Sequence, residues 1–264
     1  MFLINYSTGM KNILVFFLLG LCSVSSAQYT TGNAHSHNDY ENIVPFWTAY
    51  NAHFGSIEAD IFAVDGELYV AHGKREIKAE RTLDKLYIEP VVLRFSQNSN
   101  KAWPDSDQKL QLLIDLKTPV DPTLNILIAK LSKYPQVFDR AVNPNAVQVV
   151  ITGNMPAPVD FGKYPSFILF DGRPTQIYSP EQLERIALFS ENLKNFTSWK
   201  GTKPLPDADR KKIEEIVKTV HQMGKKMRFW GNPDMPEGWS TLMQLGVDYI
   251  NTDKINDLAK FLTK

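Results

Sequence analysis

Polar residues of catalytic type close several apolar runs in this chain, and their spacing decides what they can do together. One run ends in Ala34-His35-Ser36-His37-Asn38-Asp39. A second carries Ser56-Ile57-Glu58-Ala59-Asp60, a third ends in Val70-Ala71-His72-Gly73, and a fourth reads Leu112-Leu113-Ile114-Asp115-Leu116-Lys117-Thr118. Side chains two apart on a strand share a face, so Glu58 and Asp60 point together, as do Asp115 and Lys117. Carboxylates among strand-core residues need a cationic partner, because unpaired buried charge is very costly. Three convergent acids, Glu58, Asp60 and Asp115, are best satisfied by a divalent cation, and all-oxygen ligation selects Mg²⁺ or Ca²⁺ over zinc. Lys117 beside them is placed to hold an anionic oxygen. The structural alternatives are a solvated edge strand for Glu58 and Asp60, and an internal ion pair for Asp115 and Lys117.

Four of the five histidines, His35, His37, His53 and His72, fall within 38 residues. His53 sits in a short helix before Gly55, where a helix-terminal role fits, and His221 lies on the surface of a Lys-rich helix. One of His35 and His37, together with His72, supplies a base and an acid flanking the metal, since imidazole titrates near neutral pH. A cation, a lysine and two imidazoles are the apparatus for phosphodiester cleavage. Metal and Lys117 neutralise the phosphoryl oxygens, one histidine takes a proton from the attacking hydroxyl or water, and the other protonates the leaving oxygen.

The elements that must carry these groups alternate. Candidate strands are residues 29–34, 56–63, 110–116, 146–152, 166–170, 227–230 and 248–251, and Gly66 turns an extra hairpin returning over 67–72. Helix-like stretches are 45–53, 121–132, 180–189, 207–223, 237–245 and 255–262, with 187–190 as the candidate eighth strand. Alternation of this kind implies a parallel sheet. Its length suits a single eight-stranded (β/α) TIM-type barrel, with a doubly wound open sheet as the alternative; both place the site at the carboxyl ends of strands.

Lys11, an apolar run over 13–22 and small residues at Ser25 and Ala27 read as a signal peptide over residues 1–27, leaving one domain over 28–264. Ten apolar residues are half of what a spanning helix needs, so no transmembrane segment is expected, and an exported, periplasmic or extracellular protein is. Removing that segment carries off Lys11 and the only cysteine and moves the formal charge from 0 to −1. With 29 basic and 29 acidic residues in the whole chain, nothing draws it to nucleic acid.

The ensemble of His35-Ser-His-Asn-Asp-Tyr, Ile57-Glu-Ala-Asp, Asp65-Gly66, Val70-Ala-His-Gly and Leu113-Ile-Asp-Leu-Lys-Thr resembles the glycerophosphodiester phosphodiesterase-like superfamily. Phosphatidylinositol-specific phospholipase C and spider-venom sphingomyelinase D also belong to that superfamily. Arg228-Phe-Trp-Gly-Asn and Leu245-Gly-Val-Asp-Tyr-Ile-Asn-Thr-Asp look like its last two strands, and the pattern is similar to the branch of altered inheritance of mitochondria protein 6-like chains. The resemblance implies a phospholipase C-like phosphodiesterase barrel. It implies Glu58, Asp60 and Asp115 as ligands to Mg²⁺ or Ca²⁺, and His35 with His72 as the acid–base pair, His37 standing second. A glycerophosphodiester or a phospholipid-type phosphodiester, small molecule or lipid, is then the expected substrate, with Trp230 and Asn232 as candidates to line its pocket. Ser36 stands where the superfamily commonly has Arg, its Pro-Glu-Asn-Thr helix start is missing, and Asp115 follows the sphingomyelinase D pattern where glycerophosphodiesterases carry Glu. Two rival readings are an amidohydrolase-type metal hydrolase using His35 and His37, and an inactive lipid- or glycan-binding barrel.

Overall fold

The computed structural model describes residues 29–263; the expected signal peptide over 1–27 lies outside them. Nine strands form one sheet: β1 (Ala34–Ser36), β2 (Ser56–Val64), β3 (Glu67–Val70), β4 (Gln111–Leu116), β5 (Gln148–Gly153), β6 (Ile168–Gly172), β7 (Ile186–Asn192), β8 (Lys226–Trp230) and β9 (Ile250–Thr252). Eight run parallel in the order β8-β7-β6-β5-β4-β2-β1-β9, and β3 pairs antiparallel with β2. A parallel bridge between Arg228 and Tyr249 joins the two ends of that order, with the Asp248 and Tyr249 N–H groups donating to Met227 O, so the sheet closes on itself. This is a (β/α)8 barrel, wrapped by α1 (Trp47–Asn51), α2 (Glu89–Gln97), α3 (Val120–Leu131), α4 (Pro135–Phe138), α5 (Pro180–Glu184), α6 (Asp207–Gln222), α7 (Pro236–Gln244) and α8 (Ile255–Leu262). No helix among the described residues is long and apolar enough to cross a membrane.

The strands are buried on both faces, and alternation sorts their side chains into two cores. Ile57, Ala59 and Ile61, with Leu112, Ile114 and Leu116, join the large apolar layer between sheet and helices. Leu113, Val150, Leu188 and Tyr249 form a second cluster, flanked by Leu169 and Ala187, which plugs the barrel from inside. On strand after strand a polar residue follows the plug residue two positions on: Leu113 then Asp115, Val150 then Thr152, Leu169 then Asp171, Leu188 then Ser190, Tyr249 then Asn251. Two positions along a strand are about 7 Å towards its carboxyl end, so the barrel has an apolar floor and a polar mouth.

The structure moves several expected boundaries. The first strand is Ala34–Ser36, because Thr30 caps a 3₁₀ turn over Thr31–Asn33 with a reciprocal Asn33 bond and takes those residues out of extended conformation. The helix expected over 180–189 ends at Glu184, and the eighth parallel strand begins at Ile186, around the 187–190 segment proposed for it. Residues 84–97, assigned no element from sequence, form a π turn over Asp84–Ile88 running into α2; Val91 and Val92 there mask the helical periodicity. Asp65 and Gly66, both at positive φ, make the two-residue turn between β2 and β3.

Leu113 is fully buried in the plug directly below Asp115. Leu113→Ala should therefore cost about 2–5 kcal/mol of stability, read as a lowered urea midpoint at unchanged m-value.

Candidate active site

Because β2 and β4 pair in register, Asp60 stands opposite Asp115, and Glu58 lies two residues below Asp60 on the same face. Ligand oxygens of Glu58, Asp60 and Asp115 all lie within 4.8 Å of one another. They line a cavity of about 360 Å³ at the carboxyl ends of the strands, together with His37, His72, Lys117, Arg173, Arg228 and Trp230, among others. Asp60 Oδ1 and Asp115 Oδ1 are buried without a hydrogen-bond partner. Gly153 closes over the latter from β5 at φ 74°, where a Cβ would collide with Asp115 Oδ1. Orphaned carboxylate oxygens in an all-oxygen cluster are the donor set a hard divalent cation takes, so these residues fit such an ion.

Each acid has a different electrostatic setting. Burial pushes Glu58 towards the neutral acid, but the His35 hydrogen bond and the Arg228 charge outweigh it and hold the carboxyl well below its usual range. Arg228 Nη1 lies 3.0 Å from Glu58 Oε2, its Nε donates to Ser190 Oγ at 3.0 Å, and both side chains are at most 6% exposed. Burial drives Asp60 up to about 6, helped by the charges of Glu58 and Asp115 and only partly offset by Lys117. Lys117 Nζ bridges Asp60 Oδ2 at 2.9 Å and Asp115 Oδ2 at 2.8 Å, so the internal ion pair and the predicted placement at the carboxylates are both present.

The three histidines near the cavity differ sharply. His35 is fully buried and does not line it. Its Nδ1 lies 2.8 Å from Ser56 Oγ, and its Nε2 is 2.6 Å from Arg228 Nη1 and 2.8 Å from Glu58 Oε2. Burial, then Arg228, pull its pKa down to about 4, so the imidazole is neutral. His37, just past β1, does line the cavity. Its Nδ1 donates to Asp253 Oδ1 at 2.7 Å, and its Nε2 lies 4.0 Å from Glu58 Oε1. Burial lowers its pKa, yet the Asp253 bond and the Glu58 charge overcome this and leave it raised. His72, 59% exposed, has Nδ1 3.1 Å from the Tyr40 hydroxyl, which itself donates to Asp60 Oδ2 at 2.7 Å. A carboxylate can only accept, so the Tyr40 hydroxyl donates to Asp60, and its oxygen is left to accept from His72 Nδ1–H.

Trp230 lines the cavity at 40% exposure. Asn232 does not: its Nδ2 donates to Asn251 O at 3.1 Å, spanning the short β8–β9 seam instead. His53, two residues past α1, sits at φ 59° and stacks on Trp103, and His221 pairs with Asp248 at the surface. Sequence reasoning missed Arg228, Arg173, Asp171 and Tyr40. Arg228 had a readable sign, a cation set between apolar Met227 and Phe229 on a strand; Arg173, just past β6, bonds to Asp171 at 3.0 Å. A supporting shell also emerges: Asp39, fully buried, accepts from Ser36 Oγ, Phe46 N and Tyr87 OH and fixes the loop after β1, while Asp234 accepts from Thr252 Oγ1 and Asp253 N behind His37.

Residues 25–161 match the family model of the AIM6-like phosphodiesterase domain, and residues 226–255 that of the glycerophosphoryl diester phosphodiesterase family. Altered inheritance of mitochondria protein 6 homolog of Arthroderma benhamiae is 26% identical over 84% of this chain and 81% of its own length. Altered inheritance of mitochondria protein 6 of Eremothecium gossypii is 27% identical over 92% and 76%. The crystal structure of a glycerophosphodiester phosphodiesterase from Parabacteroides distasonis shares the fold, with a TM-score of 0.52 and 18% identity over 89% of this chain and 95% of that one.

Two measurements check this geometry. Histidine titration by NMR should find His35 neutral down to about pH 4 and His37 titrating above the ordinary 6.5; the reverse order would overturn the arrangement. Arg228→Met strands buried Glu58 and should cost about 3–5 kcal/mol, whereas Lys101→Met, whose partner Asp107 is 92% exposed, should cost under about 1 kcal/mol in urea denaturation.

Proposed function

This chain belongs to the AIM6-like phosphodiesterase family, and from that premise we propose that it is a divalent-cation-dependent phosphodiesterase, cleaving a glycerophosphodiester or phospholipid-type diester by histidine acid–base catalysis. The observation that carries the reading is the carboxylate trio at the barrel mouth with His37 and His72 lining the same cavity. Glu58, Asp60 and Asp115 would hold Mg²⁺ or Ca²⁺, which when bound supplies positive charge against the phosphoryl oxygens. Lys117 and Arg228, both lining the cavity, orient the diester and offset its charge, and Arg173 faces it across the mouth. His72, held at Nδ1 by Tyr40, presents Nε2 to take the proton of the attacking hydroxyl or water. His37, whose Asp253 tether strengthens its hold on a proton, delivers one to the leaving oxygen. His35, favoured by the Ala-His resemblance, we assign a positioning role: both its nitrogens are engaged, and it orders Glu58 and Arg228. The same engagement weighs against a zinc site on His35 and His37. Export by the 1–27 segment is part of this proposal and predicts a mature N-terminus at Gln28.

The test is a panel of bis(p-nitrophenyl) phosphate and glycerophosphodiesters assayed with Mg²⁺, Ca²⁺ or chelator. Turnover should need a cation and fall by about 10²–10⁴-fold in His37→Ala and His72→Ala, with Glu58→Gln losing cation dependence and activity together. Undiminished turnover in chelator, or in both histidine variants, would sink the assignment.

A further inference from the structure

The rim of the barrel mouth departs from the rest of the surface. Seven large apolar side chains stand out as exposed among the described residues, and five of them, Ile43, Val44, Val159, Ile177 and Trp230, lie at or after the carboxyl ends of parallel strands. Ile43 is 100% and Ile177 95% exposed. A fully exposed isoleucine gains nothing from folding, and single ones are common, but these share the face that opens onto the catalytic cavity. The strand order brings them together: the loops after β6, β7, β8, β9 and β1 are consecutive around the mouth, because the Arg228–Tyr249 bridge closes the ring. Tyr178, next to Ile177, packs on Phe189, which pairs with Gly172 at the top of β6, so Ile177 sits level with the mouth.

One loop of this arc carries charge of a single sign, while Glu41 and Asp253 lie in the loops after β1 and β9. The connection from β7 to α6, residues 193–206, carries Lys194, Lys200 and Lys203, all exposed, and no acidic residue. It lies between the loops that bear Ile177 and Trp230. Protruding aliphatic groups beside a lysine-only loop are complementary to an anionic lipid interface, where apolar side chains enter the acyl boundary and lysines meet headgroup phosphates. We propose that the mouth of this barrel docks on anionic bilayers through Ile43, Val44 and Ile177 together with the 193–206 loop, so that the diester it takes belongs to a membrane lipid. The substrate clause rests on the phosphodiesterase reading; the docking itself does not.

The experiment is co-sedimentation of the Glu58→Gln chain, which removes catalysis from the readout, with two kinds of vesicle. One is pure phosphatidylcholine and the other contains about one-third phosphatidylglycerol. Partitioning should be selective for the anionic vesicles, fall with added salt, and drop about tenfold or more in Ile43→Ser/Ile177→Ser and in Lys194→Glu/Lys200→Glu/Lys203→Glu. The same substitutions placed in the active chain should leave turnover of a small soluble diester unchanged, which also shows that the variants fold. Three outcomes would overturn the proposal: no selective binding, binding indifferent to both variants, or a self-associated chain by sedimentation in which both substitutions only dissolve the oligomer. Soluble-diester turnover without vesicle binding would remove this inference and leave the phosphodiesterase reading standing. Binding without any turnover in the active chain would do the opposite.

Discussion

Everything at the mouth of this barrel follows from putting one guanidinium inside it. Arg228 reaches from β8 to Glu58 on β2, spans Ser190 and Asn251 on the way, and stops against His35. A buried carboxylate without such a partner would take up a proton and lose its charge. With Arg228 present, Glu58 stays ionised and His35 stays neutral. The guanidinium takes Glu58 Oε2, leaving Oε1 towards His37. The pair is a poor source of net stability, since both ions were desolvated to make it. Its value is orientation: it fixes which way the lowest acid of the trio faces.

Much of this was legible from the chain because strands of a closed parallel barrel obey a period of two. Glu58 and Asp60 on β2, and Asp115 and Lys117 along β4, interrupt apolar runs at the spacing that turns both members of each pair inward. Strand order then needs no further information, since each strand is laid beside an earlier one. What stayed hidden came from other distances. Arg228 and Glu58 are 170 residues apart, and nothing local marks them as partners. The choice between His35 and His37 depends on where β1 ends, and a capping turn at Thr30–Asn33 shifts that strand towards the histidines. With β1 ending at Ser36, His35 belongs to the barrel wall and His37 to the loop above it. Two residues of similar spacing thereby acquire opposite environments.

The supporting groups sit on loops, where periodicity carries no signal. Asp253 holds His37, and Asp234 holds the Asp253 backbone in turn, an ordering of β8 and β9 loops that closes the seam of the barrel as it places the imidazole. Tyr40 plays the matching part for His72, reached from a loop that buried Asp39 pins in place. Both histidines therefore have one nitrogen spoken for by a fixed partner, which sets tautomer and ring direction before any substrate arrives. Preorganisation of this kind costs stability elsewhere and is worth more to a reaction than to a fold.

Charge counting around the cavity closes the argument. Glu58, Asp60, Asp115 and Asp171 line it with four carboxylates, against three fixed cations, Lys117, Arg173 and Arg228. Leaving the imidazoles aside, the acids exceed the cations by one, and Asp60 is lifted to about 6 by its burial first and by the charges of Glu58 and Asp115 second. A diester monoanion entering such a mouth would meet repulsion. The proposed divalent cation would reverse the sign, and a protonated His37 would add to it, leaving the mouth positive towards an incoming phosphodiester. Cation and diester would therefore each favour the other's entry, a complement set by the same residues that the period-two pattern turned inward.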